Sequence, residues 1–411
     1  MDPIVRPVVD PSFAAAAIAF LLGGAALGTV SGLVPGLHAN NFALLLASVA
    51  PSVPADPLLI GCAMIGAGVV HTFLDVVPAL ALGVPDAAMA VASLPGHRLV
   101  IAGRGREAIR LSAVGSGLAV ALAVPLAIPI TWGMVRAYPT IRAHIVLVLA
   151  SVVAFLLVTE SSRRAAIAGL VVFLASAVLG AVTLDVDPDA PLSTGGMLAP
   201  LFAGLFGAPV LIDAIDGAGV PPQSDARIAM ERRDLGVAAS AGSLSGAIVG
   251  YLPGVSAAIA ATAALPAIPR SAADRGFVVA TSGASTSNTV FALFALVALG
   301  TPRTGVMVAL EEATVPFALP MLLAAVAIAA AIGFCVLLAV GDAYLRVVGR
   351  ADYARLSIGV LTLLVGLSYL FAGVTGVGTF GVATLLGMVP PRVGTRRVHL
   401  MGVLIGPLML G

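Results

Sequence analysis

Long uncharged runs of apolar residues dominate the chain. The first, from Phe13 to Val34, contains no charged residue. Many such runs reach the ~18 residues that mark a membrane-spanning helix, whereas a helix of a soluble core rarely stays apolar for so long. The apolar segments fall near 13–34, 57–84, 107–130, 143–158, 165–184, 200–220, 236–252, 276–300, 316–341, 355–374 and, with breaks, 375–411. This pattern predicts an all-α polytopic membrane protein with about ten transmembrane helices plus shorter re-entrant or broken helices.

The composition supports a membrane protein. Of 411 residues, 60% are hydrophobic and 10% charged, and the mean hydropathy is +1.10. An ordinary soluble domain carries about 25% charged residues. The net charge of +1 gives no indication of a nucleic-acid partner. We therefore expect a multi-pass protein of the cell membrane. Cys62 and Cys335 lie within apolar runs, so they are expected to be buried apolar residues, not a disulfide or a metal site.

Charged residues are concentrated in a few short segments that indicate orientation. Residues 95–110 hold four Arg and one Glu, and residues 391–399 hold three Arg. Both segments favour the cytoplasm by the positive-inside rule. Residues 185–189 hold three Asp and no base, which favours the outer side. The face bearing 95–110 and 391–399 is called the arginine-rich side below.

An internal repeat divides the chain. GLVPG (32–36) recurs as GYLPG (250–254), and ALGVP (81–85) recurs as ALGTP (298–302), in the same order and at nearly the same offset. We predict a first transmembrane repeat at 1–220, an inter-repeat loop at 221–235 and a second repeat at 236–411. Since broken hydrophobic segments at matching positions are typical of secondary transporters with inverted repeats, we expect an inverted arrangement.

The repeated Pro-Gly pairs mark breaks in apolar helices. An isolated pair of this kind can be a kink that merely shapes packing. A broken helix at membrane depth must be buried in protein or line a cavity, because bare backbone groups are costly in hydrocarbon. Its helix ends can then bind an anion. The candidate substrate- or ion-binding residues at the two breaks are Pro35, Gly36, His38, Asn40 and Asn41 in the first half, and Pro253, Gly254 and Ser256 in the second.

A strip of polar residues, TSGASTSNT (281–289), starts a later span. Seven of its nine side chains carry a hydroxyl or amide. Such side chains can simply bond to their own helix, or they can ligate a cation or bind an anion. The candidates are Ser282, Ser285, Thr286, Ser287, Asn288 and Thr289, with a Na⁺ site expected near Ser285, Ser287 and Asn288.

The equivalent stretch of the first half, 71–86, contains His71, Thr72 and Asp75. His71 and Asp75 are four residues apart and share a helical face. An acidic residue inside a membrane is a candidate for proton or cation coupling, although a structural hydrogen bond would also account for it. We include all three residues among the candidate binding residues.

Several of these stretches together resemble the TctA permease family of tripartite tricarboxylate transporters, and its archaeal branch in particular. They are GLVPGLHANN (32–41), HTFLDVVPALALGVPD (71–86), LPGHRLVIAGRGREAI (94–109), GYLPGVSAA (250–258), TSNTVFALFALVALGTPRTG (286–305) and RRVHLMGVLIGP (396–407). The resemblance implies a membrane subunit built from two repeats, with substrate near the Pro-Gly hairpins and cation-driven uptake of a carboxylate. Bacterial relatives work with an extracytoplasmic binding protein and a small membrane subunit, which are therefore candidate partners.

Three function classes fit a chain of this kind to different degrees. The first is a secondary active transporter of an organic carboxylate, a di- or tricarboxylate, coupled to Na⁺ or H⁺ and needing no further cofactor. The alternative is a translocator of a polyprenyl phosphate or a similar amphipathic anionic lipid. The third, an intramembrane enzyme, is disfavoured because the chain contains no H-E-x-x-H or G-x-S-x-G motif. We therefore expect no catalytic residues.

Overall fold

A computed structural model describes residues 10–35, 37, 39–83, 93–192, 196–215, 220–224, 227–252, 255–264 and 273–410. The α-helices in chain order are α1 Pro11–Gly32, α2 Ala39–Val49, α3 Pro57–Leu74, α4 Val76–Leu82, α5 Ser93–Ile101, α6 Gly105–Ala143, α7 Ile145–Val158, α8 Arg163–Thr183, α9 Leu198–Phe202, α10 Ala208–Ala214, α11 Arg232–Tyr251, α12 Ala257–Ala264, α13 Ala273–Leu299, α14 Gly305–Glu312, α15 Leu319–Val348, α16 Tyr353–Gly387, α17 Val389–Val393 and α18 Gly402–Leu410. A π-helical turn, Ala203–Gly207, joins α9 to α10, and a 3₁₀ turn, Arg397–Met401, precedes α18.

Seven helical stretches in the described part of the chain are long and apolar enough to cross a membrane. They are Pro11–Gly32, Pro57–Leu82, Gly105–Ala143, Arg163–Thr183, Asp274–Leu299, Leu319–Val348 and Tyr353–Val393. Three shorter apolar helices, Ile145–Val158, Leu198–Ala214 and Arg397–Leu410, accompany them. The predicted all-α polytopic membrane fold is confirmed.

The helix α16 is two helices joined by a sharp reversal. Ala372 and Gly373 have non-helical backbone angles, and Gly373 has a φ of 56°. A β-carbon added at Gly376 would lie 2.5 Å from the carbonyl oxygen of Ser368, eight residues earlier. In a straight helix these residues would be about 12 Å apart along the axis. The chain therefore folds back on itself, and Gly373 permits the left-handed backbone that the reversal needs.

The first Pro-Gly break belongs to a re-entrant hairpin. Helices α1 and α3 run parallel in close contact: β-carbons added at Gly24 and Gly28 would lie 1.9 and 2.2 Å from the carbonyl oxygens of Ala63 and Ala67. Because α1 and α3 run in the same direction, α2 must run in the opposite direction to bring the chain back to the side where α3 begins. With 11 residues, α2 spans about 16 Å, or half of a bilayer core. The turn between α1 and α2 therefore lies within the membrane.

The second break has the same surroundings. Helices α11 and α13 also run parallel, because Gly242 packs on Ala280 and Gly250 packs on Phe291 and Ala292. The intervening α12 packs back against α11, where the hydroxyl of Ser245 donates to the carbonyl of Ala260 at 3.1 Å. The predicted repeat boundaries stay a prediction, but both Pro-Gly breaks fall in a helix–short helix–helix unit with parallel outer helices.

Both arginine-rich segments lie on one side of the molecule, as predicted. A β-carbon at Gly83 would lie 3.5 Å from both Val210 and His97. Asp213, one turn after Val210, pairs with Arg397 at 3.6 Å. The segments 95–110 and 391–399 are therefore neighbours.

The two halves share one core. Gly115 of α6, in the first half, packs on the backbone of Val279 of α13, in the second half. Gly333 of α15, in the second half, packs on Phe73 of α3, in the first half. Cys62 is buried, as predicted. The prediction for Cys335 is wrong: it is exposed on α15, because an apolar helix at the edge of a membrane protein turns one face to lipid.

Candidate substrate and ion site

A chain of hydroxyl groups joins three helices where α3 and α13 approach each other. The hydroxyl of Thr286 donates to the hydroxyl of Ser116 at 2.9 Å, and Ser116 donates to the carbonyl of Ser282 at 3.1 Å. The Thr286 oxygen also lies 3.5 Å from the carbonyl oxygen of Thr72. Ser116 is fully buried and Thr286 nearly so. This point lies deep in the protein, where polar groups must satisfy one another.

The first hairpin turn lies against His71. Pro35 is buried in the turn. The hydroxyl of Ser31, at the end of α1, and Nδ1 of His71 share a hydrogen bond of 2.8 Å. Phe42 of α2 stacks on the imidazole with ring centroids 5.9 Å apart. His71 therefore contacts both arms of the hairpin, and it directly precedes Thr72, whose carbonyl meets the hydroxyl chain.

Asp75 lies at a break between α3 and α4. Its amide donates to the carbonyl of His71 at 2.9 Å, and only 6% of the residue is exposed. Pro78, three residues later, has no amide hydrogen and clashes with the preceding turn, which accounts for the break. The helix is therefore interrupted at Asp75, the only acidic residue among the predicted binding residues. A carboxylate in this position is suited to proton or cation coupling.

The strip 281–289 contains several buried polar atoms that have no hydrogen-bond partner in the described part of the chain. They are the hydroxyls of Ser282 and Ser287 and the amide oxygen of Asn288. On the neighbouring helices, the hydroxyls of Ser112 and Ser243 are also buried and have no hydrogen-bond partner among the described residues. Because burying an unpaired polar group is costly, such atoms indicate a ligand or an ordered water. Ser285 and Thr289 are also buried.

Three predicted residues have structural partners. The hydroxyl of Thr72 donates to the carbonyl of Val69 in its own helix at 2.8 Å. Ser256 caps α12, its oxygen accepting from the amide of Ile259 at 3.3 Å. The amide oxygen of Asn40 accepts from the backbone of Gly305 at 2.8 Å, which ties the first hairpin to α14 of the other half.

The remaining predicted residues lie outside the described part of the chain. They are Gly36, His38, Pro253 and Gly254, together with the side chain of Asn41. The backbone of Asn41 belongs to α2.

Sequence reasoning missed several residues of this region. Ser31 and Ser116 are each surrounded by apolar residues in a long helix, a pattern too common to indicate a site. Arg303 was also missed. Its guanidinium lies over the ring of Tyr138, 5.1 Å from the centroid, and bonds to the Tyr138 hydroxyl. Its Nε is buried without a partner among the described residues.

No group of three or more His, Cys, Asp or Glu side chains that could hold a metal ion occurs among the described residues. A cation held at the α3–α13 approach would therefore be ligated mainly by hydroxyl, amide and carbonyl oxygens. Such hard, neutral oxygens are the ligands that small hard cations prefer. The same hydroxyls can instead donate to a carboxylate.

The fold and the buried polar cluster define a multi-pass membrane protein with an oxygen-rich polar centre beside a re-entrant hairpin. Residues 18–402 match the tripartite tricarboxylate transporter TctA family, and the chain belongs to that family. It is therefore a component of a tricarboxylate transporter system. The transporters of this family are tripartite, so they include partner components. The family gives no support to the lipid-translocator alternative.

An archaeal relative is consistent with the archaeal branch. An uncharacterised protein of Methanocaldococcus jannaschii is 28% identical over 403 residues, which cover 95% of this chain and 98% of the relative. No solved structure matches the chain.

Proposed function

We propose that this protein is a secondary active permease that moves an organic carboxylate anion, a di- or tricarboxylate, across the cell membrane in symport with Na⁺ or H⁺. The observation that carries the proposal is the buried cluster formed by the Thr72 carbonyl and the hydroxyls of Ser116 and Thr286, deep in the protein and beside a re-entrant hairpin. A polar site beside a broken helix is typical of secondary transporters.

We propose further that the two halves are inverted repeats. Ile109 packs on Gly341 and Gly117 lies against Phe334, so α6 and α15 are antiparallel. Gly115 packs on Val279 and Ala119 on Gly283, so α6 and α13 are parallel.

The direction of α3 and α4 follows from α5. His97 binds the carbonyl of Leu80 at 2.8 Å, which brings the end of α4 to the arginine-rich side, where α6 begins. The α3–α4 pair thus runs opposite to α6 and to α13. The hairpins α1–α2 and α11–α12, each parallel to its partner helix, then enter the membrane from opposite sides.

The chemistry of the site suits an anion moving with a cation. Helix ends at the hairpin turns present free amide groups to a carboxylate. The unpartnered oxygens of Ser282, Ser287 and Asn288 can ligate Na⁺. Asp75 can provide a negative charge for a bound cation or carry a proton. Arg303 lies beyond the end of α13 opposite the arginine-rich side, where its guanidinium can attract the anion.

We propose that the partners are an extracytoplasmic binding protein and a small membrane subunit. The family's tripartite organisation supports this proposal. The binding protein would deliver the carboxylate on the outer side.

Uptake into vesicles tests the transport proposal. Purified protein in proteoliposomes should accumulate radiolabelled citrate, succinate or another di- or tricarboxylate only when an inward Na⁺ or H⁺ gradient is imposed. Vesicles prepared without protein serve as the control. If the protein needs its partners, uptake should appear when they are supplied. A gradient-independent movement of lipid probes, with no carboxylate uptake under any condition, would contradict the proposal.

The variant Asp75→Asn tests the coupling role. We expect it to lose gradient-driven uptake while remaining folded in the membrane, because an amide can neither carry the proton nor supply the charge. Asp187→Asn, at an exposed position between α8 and α9, is the matched control and should transport normally. Wild-type coupled uptake by Asp75→Asn would remove Asp75 from the mechanism.

A further inference from the structure

A cleft separates α6 from α15 at the arginine-rich side, on a different face of α6 from Ser116. A cavity of about 390 Å³ lies in this cleft. Its residues divide into a charged end and an apolar end, and they include Arg106, Arg110, Asp342, Ile109, Phe334 and Leu338. The site described above does not use this cavity.

A second cavity of about 270 Å³ adjoins the first and shares Arg106 and Asp342 with it. It extends under residues 220–223 to Arg346 and Arg350 at the end of α15. The two cavities adjoin at the Arg106–Asp342 ion pair, and together they are called the groove; it follows α15 from its membrane-spanning part to its end on the arginine-rich side.

The charged end of the groove is predominantly basic. Arg106 pairs with Asp342 at 2.7 Å, and Arg346 lies 3.8 Å from the same carboxylate. Arg350 is exposed and pairs with no carboxylate of the described residues. Across both cavities the lining contains four Arg and one Asp. This end is thus built to receive an anion, and Arg346 and Arg350 are the side chains with the most donor groups to offer it.

The apolar end continues into the membrane. Phe334 precedes Arg346 by 12 residues, which places it about 18 Å deeper along the helix axis. Cys335 and Val347 are exposed, so α15 lies at the surface of the protein beside the groove. A ligand filling the groove would have an anionic group at the membrane surface and an apolar chain that lies along Leu338 and Phe334.

We propose that this groove binds a membrane phospholipid with an anionic headgroup. Its phosphate accepts hydrogen bonds from Arg346 and Arg350, and one hydrocarbon chain lies against Leu338 and Phe334. Basic pockets between transmembrane helices at the membrane surface are suited to such headgroups. The lipid is held at the edge of the protein and is distinct from the transported anion, so the proposal stands independently of the substrate.

Lipid titration of the purified protein tests this proposal. Binding of dioleoylphosphatidylglycerol and of dioleoylphosphatidylcholine is measured by native mass spectrometry and by the rise in the unfolding temperature in detergent. We expect the wild-type protein to prefer the anionic lipid. The double variant Arg346→Gln/Arg350→Gln should bind it roughly 25-fold more weakly, about fivefold for each arginine near the surface. Binding of the zwitterionic lipid should change little.

The double variant Arg163→Gln/Arg164→Gln is the matched control. It removes the same charge from two exposed residues at the start of α8, outside the groove. It should keep the wild-type preference. Equal loss in both double variants would show a general surface-charge effect and would overturn the proposal. So would an unchanged preference in Arg346→Gln/Arg350→Gln, or a stabilisation by inorganic phosphate equal to that by the lipid.

Discussion

Thr286 of the second half donates its hydroxyl hydrogen to Ser116 of the first half at 2.9 Å, in the buried region where α13 meets α6 and α3. This bond links helices from both predicted repeats, beside the turn of the first hairpin. A ligand that binds here would therefore contact both halves together.

Replacing Thr286 by Val should impair uptake. The change keeps the side-chain shape but removes the hydrogen bond to Ser116, which still donates to the Ser282 carbonyl, at a cost of about 0.5–1.5 kcal/mol. If this cluster binds the coupling ion, the ion concentration for half-maximal uptake should rise by roughly tenfold. Thr281→Val is the control, because Thr281 is equally buried but donates only to Phe277 in its own helix. Equal effects of the two variants would argue against a binding role.

The glycine pair on α1 provides a test of helix packing. A β-carbon at Gly24 would lie 1.9 Å from the carbonyl oxygen of Ala63, whereas one at Gly23 would meet nothing within 4 Å. Gly24→Ala should force α1 away from α3 and lower the free energy of unfolding by about 1–3 kcal/mol or more. Gly23→Ala should be neutral or stabilising by up to about 1 kcal/mol, since alanine favours the helix. Thermal unfolding in detergent measures both, and a reversed order would contradict the parallel packing.

Glu107 holds three segments together at the arginine-rich side. Its fully buried carboxylate accepts from Arg104 at 2.5 Å, from Arg275 at 2.8 Å and from the amide of Ala229 at 2.7 Å. Glu107→Gln should destabilise the protein by about 1–3 kcal/mol, because Arg104 and Arg275 lose their counter-charge but remain partly exposed to solvent. The exposed Glu311 provides the control, and Glu311→Gln should change the unfolding temperature little.

The lowered pKa of Glu160 leads us to expect that the protein loses stability in acid. Burial opposes ionisation of Glu160, but hydrogen bonds from Arg396, His399 and the Arg396 backbone outweigh it and lower the pKa from 4.5 to about 2. Since the folded pKa is below the unfolded one, the carboxylate stabilises the fold fully above pH 4.5. This contribution, on the order of 3 kcal/mol, should be lost as the pH falls towards 2.

The variant Glu160→Gln isolates that contribution. Its unfolding temperature should be lower than that of the wild type at neutral pH and should fall less between pH 4.5 and pH 3. Glu231→Gln, at an exposed position before α11, should keep the wild-type dependence on pH. An unaltered acid profile in Glu160→Gln would show that other carboxylates control acid stability.

The sequence alone was sufficient to predict the membrane class, the family, the helical segments and the polar strip at 281–289. These features depend on local properties: apolar runs of bilayer length, helix-breaking Pro-Gly pairs and hydroxyl side chains adjacent in the chain. Even the reversal within α16 falls at Gly373, next to the predicted segment end at residue 374.

Only the tertiary structure decided which polar residues meet. Thr72, Ser116 and Thr286 are far apart in the chain, and a serine such as Ser116 in an apolar helix carries no sign of its partner. The partners of Asn40 in α14 and of Glu160 in the C-terminal segment were likewise invisible. Helix periodicity indicates which face of a helix is buried, but not which helix that face contacts. The contacts are determined by glycines such as Gly24, Gly115 and Gly242, which let two helix backbones approach closely. That choice depends on contacts between distant segments, which no local pattern encodes.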